Sequence, residues 1–369
     1  MVTAVERVTM PRTLRVQRTQ RTKARVRVRL RTVFVFVSFV TFVSFVPMAL
    51  ATCGGRKNPG LRPVKIAVGG QNQMVYLPTT LARELGLYRD EGLDVELQDF
   101  AGGAKALQAL VGGSADVVSG FYDHTIQMAA EGREVVAFVS MLRFPGMILV
   151  TSPQGAGTIT RIEDLKGRIA GVTTAGSSSQ MMLTSMLQRH GVAPDTVSIT
   201  AIGSAATAVA AIEHGKVDVG MMADPAFTLV SRRNPGVRVL ADLRTAAGVK
   251  EAFGTGTYPG AVLYSKGDWI RANRDTTERL ARVITRTLTW MQTHTPQEIA
   301  GKMPKVFRGD DDALYVEALN SSMPMFSPDG VMAADGAEAV RTQLAGSIEK
   351  VRAASIDVSK TYTNEFIRP

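Results

Sequence analysis

Three consecutive serines stand where a predicted strand turns into a predicted helix. The turn consists of Gly176, Ser177, Ser178 and Ser179. The first N–H groups of a helix have no acceptor inside the helix, and its N-terminus carries about half a positive charge. Together with three hydroxyl groups, this helix start favours an anionic or strongly accepting ligand. Ser177 and Gln180 also have the spacing of a capping box, so a plain helix cap is the alternative.

A second group of candidates follows other predicted strands, at the sheet edge where ligands of open α/β proteins bind. Two glycines precede a helix predicted from residue 104, and they offer the same helix-start geometry from another part of the chain. Two tyrosine rings suit the apolar walls of a small-molecule cleft. The candidate contacts in this group are Gln71, Asn72, Tyr76, Gly102, Gly103 and Tyr122.

Two charged residues complete the predicted site. Arg143 could hold an anion through a charge-assisted hydrogen bond, and an ordinary surface or ion-pair arginine is the alternative. Asp224 could reach the same cleft or cap the next helix. From these residues we expect the ligand to be a small, anionic or polar organic solute.

Motifs for catalysis and metal binding are absent from the sequence. It contains no Gly-x-Ser-x-Gly nucleophile elbow, no His-Glu-x-x-His and no Walker loop. The four histidines are scattered and Cys53 is the only cysteine, which excludes an internal disulfide and a cysteine-rich zinc site. Residues 309–312 lack the ligand spacing of a calcium loop. We therefore expect a binding protein without metal or cofactor rather than an enzyme.

The elements that must position these residues alternate between short apolar runs and helical segments, which predicts a parallel or mixed α/β sheet. Residues 109–117 match residues 211–219 at a constant offset of 102 residues. In each copy a helix ends at a glycine and an acidic residue precedes a strand. The repeat predicts an α/β fold with two lobes of related topology and a cleft between them.

The N-terminal segment carries nearly all of the net charge. The chain of 369 residues has a formal net charge of +10, and residues 1–31 contain ten Lys or Arg and one acid. The remainder is nearly neutral, which argues against nucleic-acid binding. An uncharged stretch at 33–46 follows, as in a secretory leader. We expect cleavage after Ala51 or lipidation of Cys53; an uncleaved membrane anchor over 33–51 is the alternative.

Several motifs, taken together, resemble a known family. They are residues 81–88 (LARELGLY) followed by 91–95 (EGLDV), the two repeats, and residues 162–167 (IEDLKG). Over about residues 64–300 the chain resembles the periplasmic substrate-binding proteins of ABC importers for nitrate, sulfonates, taurine and thiamine-precursor pyrimidines. The resemblance implies a two-lobed periplasmic binding protein fold with two hinge strands, near 148–150 and 261–264.

The resemblance also implies a domain organisation and a function. Residues 1–53 would be the leader, 54–62 a linker, 63–148 with 262–369 a discontinuous lobe 1, and 149–261 lobe 2. The protein would capture a solute of the sulfonate, nitrate or taurine class outside the cytoplasm by lobe closure. It would deliver this solute to a membrane permease and its ATPase, with a lipid anchor as its only attachment to the membrane. An exported enzyme on the same fold, acting on a small heterocycle or carboxylate, is the alternative.

Overall fold

The computed structural model describes residues 60–367, which fold around two five-stranded β-sheets. The strands are β1 (Arg62–Val68), β2 (Leu93–Asp99), β3 (Val117–Phe121), β4 (Val135–Ser140), β5 (Met147–Thr151), β6 (Ile169–Val172), β7 (Ser198–Ala201), β8 (Val219–Ala223), β9 (Val239–Asp242) and β10 (Ala261–Lys266). The predicted leader and Cys53 lie outside the described residues.

Helices cover the faces of both sheets. The α-helices are α1 (Leu77–Glu84), α2 (Leu87–Asp90), α3 (Gly103–Val111), α4 (Asp123–Ala130), α5 (Ser178–Arg189), α6 (Ala205–Glu213), α7 (Ala226–Arg233), α8 (Ala246–Phe253), α9 (Gly267–Ala272), α10 (Arg274–Gln292), α11 (Pro296–Lys302), α12 (Lys305–Arg308), α13 (Asp312–Ser322), α14 (Ala334–Ser347) and α15 (Glu349–Ala353). Short 3-10 helices occupy Met74–Tyr76, Ile162–Leu165, Pro194–Thr196, Met323–Met325 and Val358–Lys360.

The two sheets share one pattern of strand order. The first runs β2-β1-β3-β10-β4, and the second runs β7-β6-β8-β5-β9. In each sheet, three parallel strands are followed by a strand of opposite direction, β10 or β5. The central strands β3 and β8 are buried along their whole length, as expected for parallel strands covered on both faces. We call the bodies built on the two sheets lobe 1 and lobe 2. The predicted two-lobed α/β fold is confirmed.

The repeated aspartate has the same structural role in both lobes. Asp116 Oδ2 accepts a hydrogen bond from the backbone N–H of Lys65 (2.8 Å), and Asp218 Oδ2 accepts one from that of Ile169 (2.7 Å). The backbone N–H of each aspartate donates in return to the carbonyl of the same residue. The two bonds fasten the entry of β3 to β1 and of β8 to β6, where the strand ladder has not yet begun. The sequence repeat therefore reflects strand pairing.

The chain passes between the lobes twice. Residues 141–146 lead from β4 to β5, and residues 254–260 lead from α8 to β10. The predicted hinge segments 148–150 and 261–264 lie within β5 and β10, each of which pairs with a strand on either side. Strand membership does not fix the axis about which two lobes move. The predicted lobe boundaries therefore stay a prediction.

The C-terminal helices form a further connection between the lobes. Helix α14 packs against α4 of lobe 1 and α5 of lobe 2. Ser347 Oγ lies 2.9 Å from Ser185 Oγ in α5, and Gln343 Nε2 donates to the carbonyl of Phe253 in α8 (3.0 Å). Movement of one lobe against the other must therefore involve this segment.

One glutamate holds α10 against the turn between α2 and β2. Arg282 Nε and Arg286 Nη1 each lie 3.0 Å from a different carboxylate oxygen of Glu91. Arg279 Nη1 donates to the backbone carbonyl of the same residue (2.9 Å). The Glu91 side chain is only 15% exposed, so water screens these bonds less than it screens an ordinary surface pair.

We expect Glu91→Gln to lower the free energy of unfolding by about 1 to 3 kcal/mol, because the amide removes the carboxylate that two guanidinium groups share. Arg282 would keep only the longer pair with Glu278 (3.4 Å), and Arg286 only that with Asp90 (3.5 Å). Urea denaturation of the purified protein measures this change. Glu131→Gln is the matched control, since Glu131 is exposed and has no ion pair within residues 60–367; it should change the free energy by less than about 0.5 kcal/mol. Equal losses in the two variants would contradict the assigned role of Glu91.

Candidate ligand-binding site

A small cavity lies at the boundary between the lobes, at the carboxyl ends of the central strands. Its volume is about 20 Å³, enough for roughly one water molecule. The two lobes are therefore in contact around it. Its lining residues come from both lobes: Gly69, Gln73, Tyr76, Gly103, Phe121, Met147, Thr173, Ser177, Ser178 and Ser179.

Further spaces continue from this cavity towards the surface. Gln73 and Thr173 also line a second cavity of about 10 Å³. Ala205 and Ala226 line both that second cavity and an open groove of about 380 Å³, where Asn72 of lobe 1 faces lobe 2. These shared residues mark a path along the boundary that is wide at the surface and narrow inside.

The start of α5 is held by its own side chains. Ser177 Oγ lies 2.7 Å from Ser179 Oγ, and Ser179 Oγ accepts a hydrogen bond from the N–H of Thr173 (2.9 Å). The side chain of Gln180 accepts from the N–H of Gly176 (2.8 Å), and Ser177 makes no side-chain capping bond. The predicted capping box is therefore replaced by a network that fixes this turn.

The remaining serine of this turn bonds to a carboxylate of the other lobe. Ser178 Oγ donates to Asp123 Oδ1 across the boundary (2.7 Å). Asp123 begins α4 and is 1% exposed, and its other oxygen, Oδ2, has no hydrogen-bond partner among the described residues. Burial raises the pKa of Asp123, and the neighbouring His124 and the Ser178 bond oppose this rise. A buried carboxylate oxygen without a donor is costly, so this group identifies a binding position.

Two other buried polar atoms near the boundary also lack partners among the described residues: the Tyr258 hydroxyl and Thr174 Oγ1. His124 Nδ1 lies 3.3 Å from the Tyr264 hydroxyl, and burial lowers the pKa of this histidine, which favours its neutral form. Burial and the nearby Asp123 raise the pKa of Tyr258. Because native proteins leave few buried polar atoms unpaired, their concentration at one boundary indicates where a ligand binds.

The structure brings part of the predicted site together. Five predicted residues line the inner cavity: Tyr76, Gly103, Ser177, Ser178 and Ser179. The ring of Tyr76 packs edge-on against Phe121, with centroids 6.1 Å apart. Gly102 and Gly176 flank the cavity, each beside a residue of the opposite lobe, Thr174 and Ala104 respectively. The two glycine-bearing helix starts therefore face each other, as predicted.

Two other predicted residues lie farther out. Asn72 lines the outer groove, and its side-chain oxygen has no partner among the described residues. Gln71 is buried beside the first strand; its backbone N–H donates to Asp99 (2.8 Å) and its side chain accepts from Thr80 (3.4 Å). Gln71 thus stabilises its own turn.

Tyr122 and Arg143 do not lie at the cavity. Tyr122 is buried with its hydroxyl 2.5 Å from Thr361 Oγ1, so it fastens the C-terminal segment to lobe 1. Arg143 is exposed, and its Nε donates to the carbonyl of Pro324 (3.0 Å). The charge-assisted contact expected from Arg143 is therefore not formed at this boundary.

The Asp224 side chain caps helix α7, which was the alternative to a place in the cleft. Its Oδ1 accepts from the N–H (3.1 Å) and the hydroxyl (2.7 Å) of Thr228 in the first turn of α7. Its Oδ2 accepts from Arg244 Nη1 (2.9 Å) and from Ser322 Oγ (3.2 Å). Both oxygens are occupied by the protein, so Asp224 is a structural residue in this arrangement.

The sequence places Gln73 on the rim of the predicted cleft together with Gln71, Asn72 and Tyr76, and Gln73 lines the cavity. The residues of the site that it did not indicate are Gly69, Phe121, Asp123, Met147 and Thr173. Asp123 had a usable signal, because an acidic residue directly follows a buried strand at the edge where ligands bind. Met147 and Phe121 had none, since apolar residues inside strands indicate core packing.

Metal binding and membrane spanning find no support in the part of the chain that the structure describes. No group of three or more His, Cys, Asp or Glu side chains within residues 60–367 is arranged to hold a metal ion. Within the same residues, no helix combines the length and the apolar character needed to cross a bilayer.

Comparison with solved structures supports the fold. A structure of a protein from Bordetella bronchiseptica RB50 is 39% identical, has a TM-score of 0.79, and covers 82% of this chain and 95% of its own. The alkanesulfonate-binding protein SsuA from Xanthomonas axonopodis pv. citri is 17% identical with a TM-score of 0.64, covering 84% of this chain and 99% of its own. The periplasmic nitrate-binding protein NrtA from Synechocystis PCC 6803 is 14% identical with a TM-score of 0.66, covering 84% and 88%. The last two show the fold alone.

Comparison of sequences identifies the family and related proteins. A family model described as NMT1/THI5 like matches residues 73–299. The Bacillus subtilis binding-protein homologue YtlA is 22% identical over 78% of this chain and 84% of its own length. A yeast 4-amino-5-hydroxymethyl-2-methylpyrimidine phosphate synthase, THI13 of Saccharomyces cerevisiae, is 23% identical over 40% of this chain and 42% of its own length. The resemblance predicted from the motifs is confirmed.

We expect Gly102→Ala to hold the two lobes apart. Gly102 has extended backbone that any residue adopts, but an added Cβ would lie 2.8 Å from Thr174 Oγ1 and 3.1 Å from Thr174 Cγ2 in the opposite lobe. Rotation of the Thr174 side chain still leaves one of its γ atoms near the added Cβ, so we expect the opposite lobe to move back by a few tenths of an ångström. Hydrogen–deuterium exchange should then be faster at residues 176–180.

Gly301→Ala is the control for this substitution, because nothing lies within 4 Å of a Cβ added there. It should leave exchange at residues 176–180 unchanged. Unchanged exchange in Gly102→Ala as well would mean that the lobes do not depend on this close approach.

Proposed function

Because the chain belongs to the NMT1/THI5 like family, we propose that it is an extracytoplasmic solute-binding protein of an ABC importer. It captures a small polar organic solute between its lobes and presents it to a membrane permease that works with an ATPase. The observation that carries this proposal is the boundary between the lobes, where both sides line one cavity and buried polar atoms lack partners. A purely structural interface would pair those atoms.

The relatives support a binding role. YtlA is named as a binding protein, and SsuA and NrtA bind an alkanesulfonate and nitrate on the same two-lobed fold. Sulfonates, taurine and nitrate are therefore the first solutes to test. No catalytic motif stands in the sequence to suggest turnover of a bound molecule.

Closure works through contacts that join the lobes. Ser178 of lobe 2 donates to Asp123 of lobe 1, and the N–H of Met74 donates to the carbonyl of Asp224 (2.8 Å). A solute favours the closed arrangement only as far as it binds that arrangement better than the open one. A solute that touches both the α5 start and lobe 1 meets this condition.

The leader supports export of the protein. We propose that the basic segment and the uncharged stretch after it direct secretion, followed by cleavage after Ala51 or lipidation of Cys53. The protein would then work in the periplasm or tethered to the outer face of the membrane, which is where an importer receives its solute.

An exported enzyme on the same fold is the second candidate. The match to the yeast synthase over 40% of this chain favours it. The two functions differ in the fate of the solute, since a binding protein returns it unchanged and an enzyme does not.

We expect the protein to bind one solute per chain and to release it chemically unchanged. Purified protein is mixed with a small-molecule extract of its native host, washed, and unfolded, and the released molecules are identified and counted by mass spectrometry. Heat-denatured protein is the control for adsorption. A product that accumulates in proportion to protein concentration and time would favour the enzyme function over the binding function.

A further inference from the structure

Two buried aspartates occupy similar corners of the two lobes, but only one of them is fully paired. Asp123 lies between β3 and α4, and Asp224 lies between β8 and α7; each is 1% exposed. The donors to Asp224 are Thr228, Arg244 and Ser322. Asp123 receives Ser178 on Oδ1, and its Oδ2 has no partner within residues 60–367. The comparison shows what Asp123 lacks, a cationic donor.

The surroundings of Asp123 offer no full positive charge to replace it. Among the described residues that line the cavity, none is Lys or Arg. Lys105 on α3 is exposed, and Arg143 is bonded to the carbonyl of Pro324. His124, next to Asp123, is buried and has its pKa lowered by that burial. An anion placed here would be buried beside a carboxylate without a counter-charge.

From this geometry, and resting on the proposed function, we infer that the solute carries an amine or amidine whose N–H groups donate to Asp123 Oδ2. A charge-assisted bond of this kind is among the stronger hydrogen bonds in proteins. The apolar part of the solute would lie against Tyr76, Phe121 and Met147, which line the small cavity together with Ser178, the partner of Asp123. Sulfonates, nitrate and carboxylates without such a nitrogen are then not ligands.

The start of α5 does not reverse this preference. Its partial charge is only about half of one elementary charge. Burial raises the pKa of Asp123, and a cationic N–H donor at Oδ2 would favour the ionised form of this carboxyl group, which an anion would not. The hydroxyl of Ser178 already donates to Asp123, so it is not available to an anion in this arrangement. Asp123 is therefore the hydrogen-bond acceptor at the start of α5.

Calorimetry with paired probes tests the inference on the full exported chain. The probes are benzylamine, benzamidine and straight-chain alkylamines, each matched in size by benzenesulfonate, benzoate or an alkanesulfonate, together with nitrate. At least one amine or amidine should bind the unsubstituted protein. Asp123→Asn should weaken that binding by about ten- to a hundredfold, the loss expected for one charged hydrogen bond.

Asp123→Ser is the second variant and serves if Asp123→Asn does not fold. It keeps a small polar side chain at the start of α4 but lacks the carboxylate, so it should weaken the amine about as much as Asp123→Asn does, whereas an anion held by the α5 start should bind no more weakly. The melting temperature of each variant without probe checks that it folds.

Each outcome has a defined meaning. Three outcomes would overturn the inference. The first is binding of an anion that lacks an amine or amidine, and the second is amine binding that is unchanged in Asp123→Asn. The third is failure of every amine and amidine to bind. The proposed function stands in all of these cases if any small molecule is bound and returned unchanged. It fails only if the protein retains no solute from the host extract either.

Discussion

The contact between the two lobes contains a buried carboxyl group, Asp123, and one of its oxygens has no hydrogen-bond partner among the described residues. Asp123 is covered when lobe 2 meets lobe 1, and the contact supplies one donor, the hydroxyl of Ser178. The second oxygen is desolvated without compensation, which costs free energy. The closed form is therefore incomplete by itself, and a solute that supplies the missing donor would stabilise it. In the function that we propose, this is the physical link between lobe closure and solute binding.

The repeated topology explains how this contact arises. Each sheet places helix starts at the carboxyl ends of its parallel strands, and the two crossings of the chain set these ends opposite each other. Asp116 and Asp218 fasten the corresponding strand pair in each lobe at the opposite ends of the strands, where β3 and β8 begin. The two lobes can approach closely because small residues lie between them, and Gly102 leaves room for the side chain of Thr174 in the opposite lobe. Helix α14 contacts both lobes, so separation of the lobes must change its packing.

The sequence alone predicted the fold and several residues that line the candidate cavity. The α/β alternation and the repeat are local patterns, and the serine turn before α5 is a local signal, so all of these could be identified without coordinates. The partner of Tyr122 could not, because Thr361 stands 239 positions away and nothing near either residue encodes the pairing. Arg143 carries the charge expected at an anion site, but its direction is set by the carbonyl of Pro324. The isolation of Asp123 is likewise a property of the folded boundary, where a donor is missing that Asp224 obtains from Arg244.

The central claim is that solute binding and lobe closure are one event. Small-angle X-ray scattering tests it most directly, on protein stripped of small molecules by unfolding and refolding and then measured before and after addition of the solute recovered from the native host. The account predicts that the radius of gyration falls on addition to the value calculated for the closed lobes described above. A radius that stays constant while calorimetry records saturable binding of the same solute would contradict it.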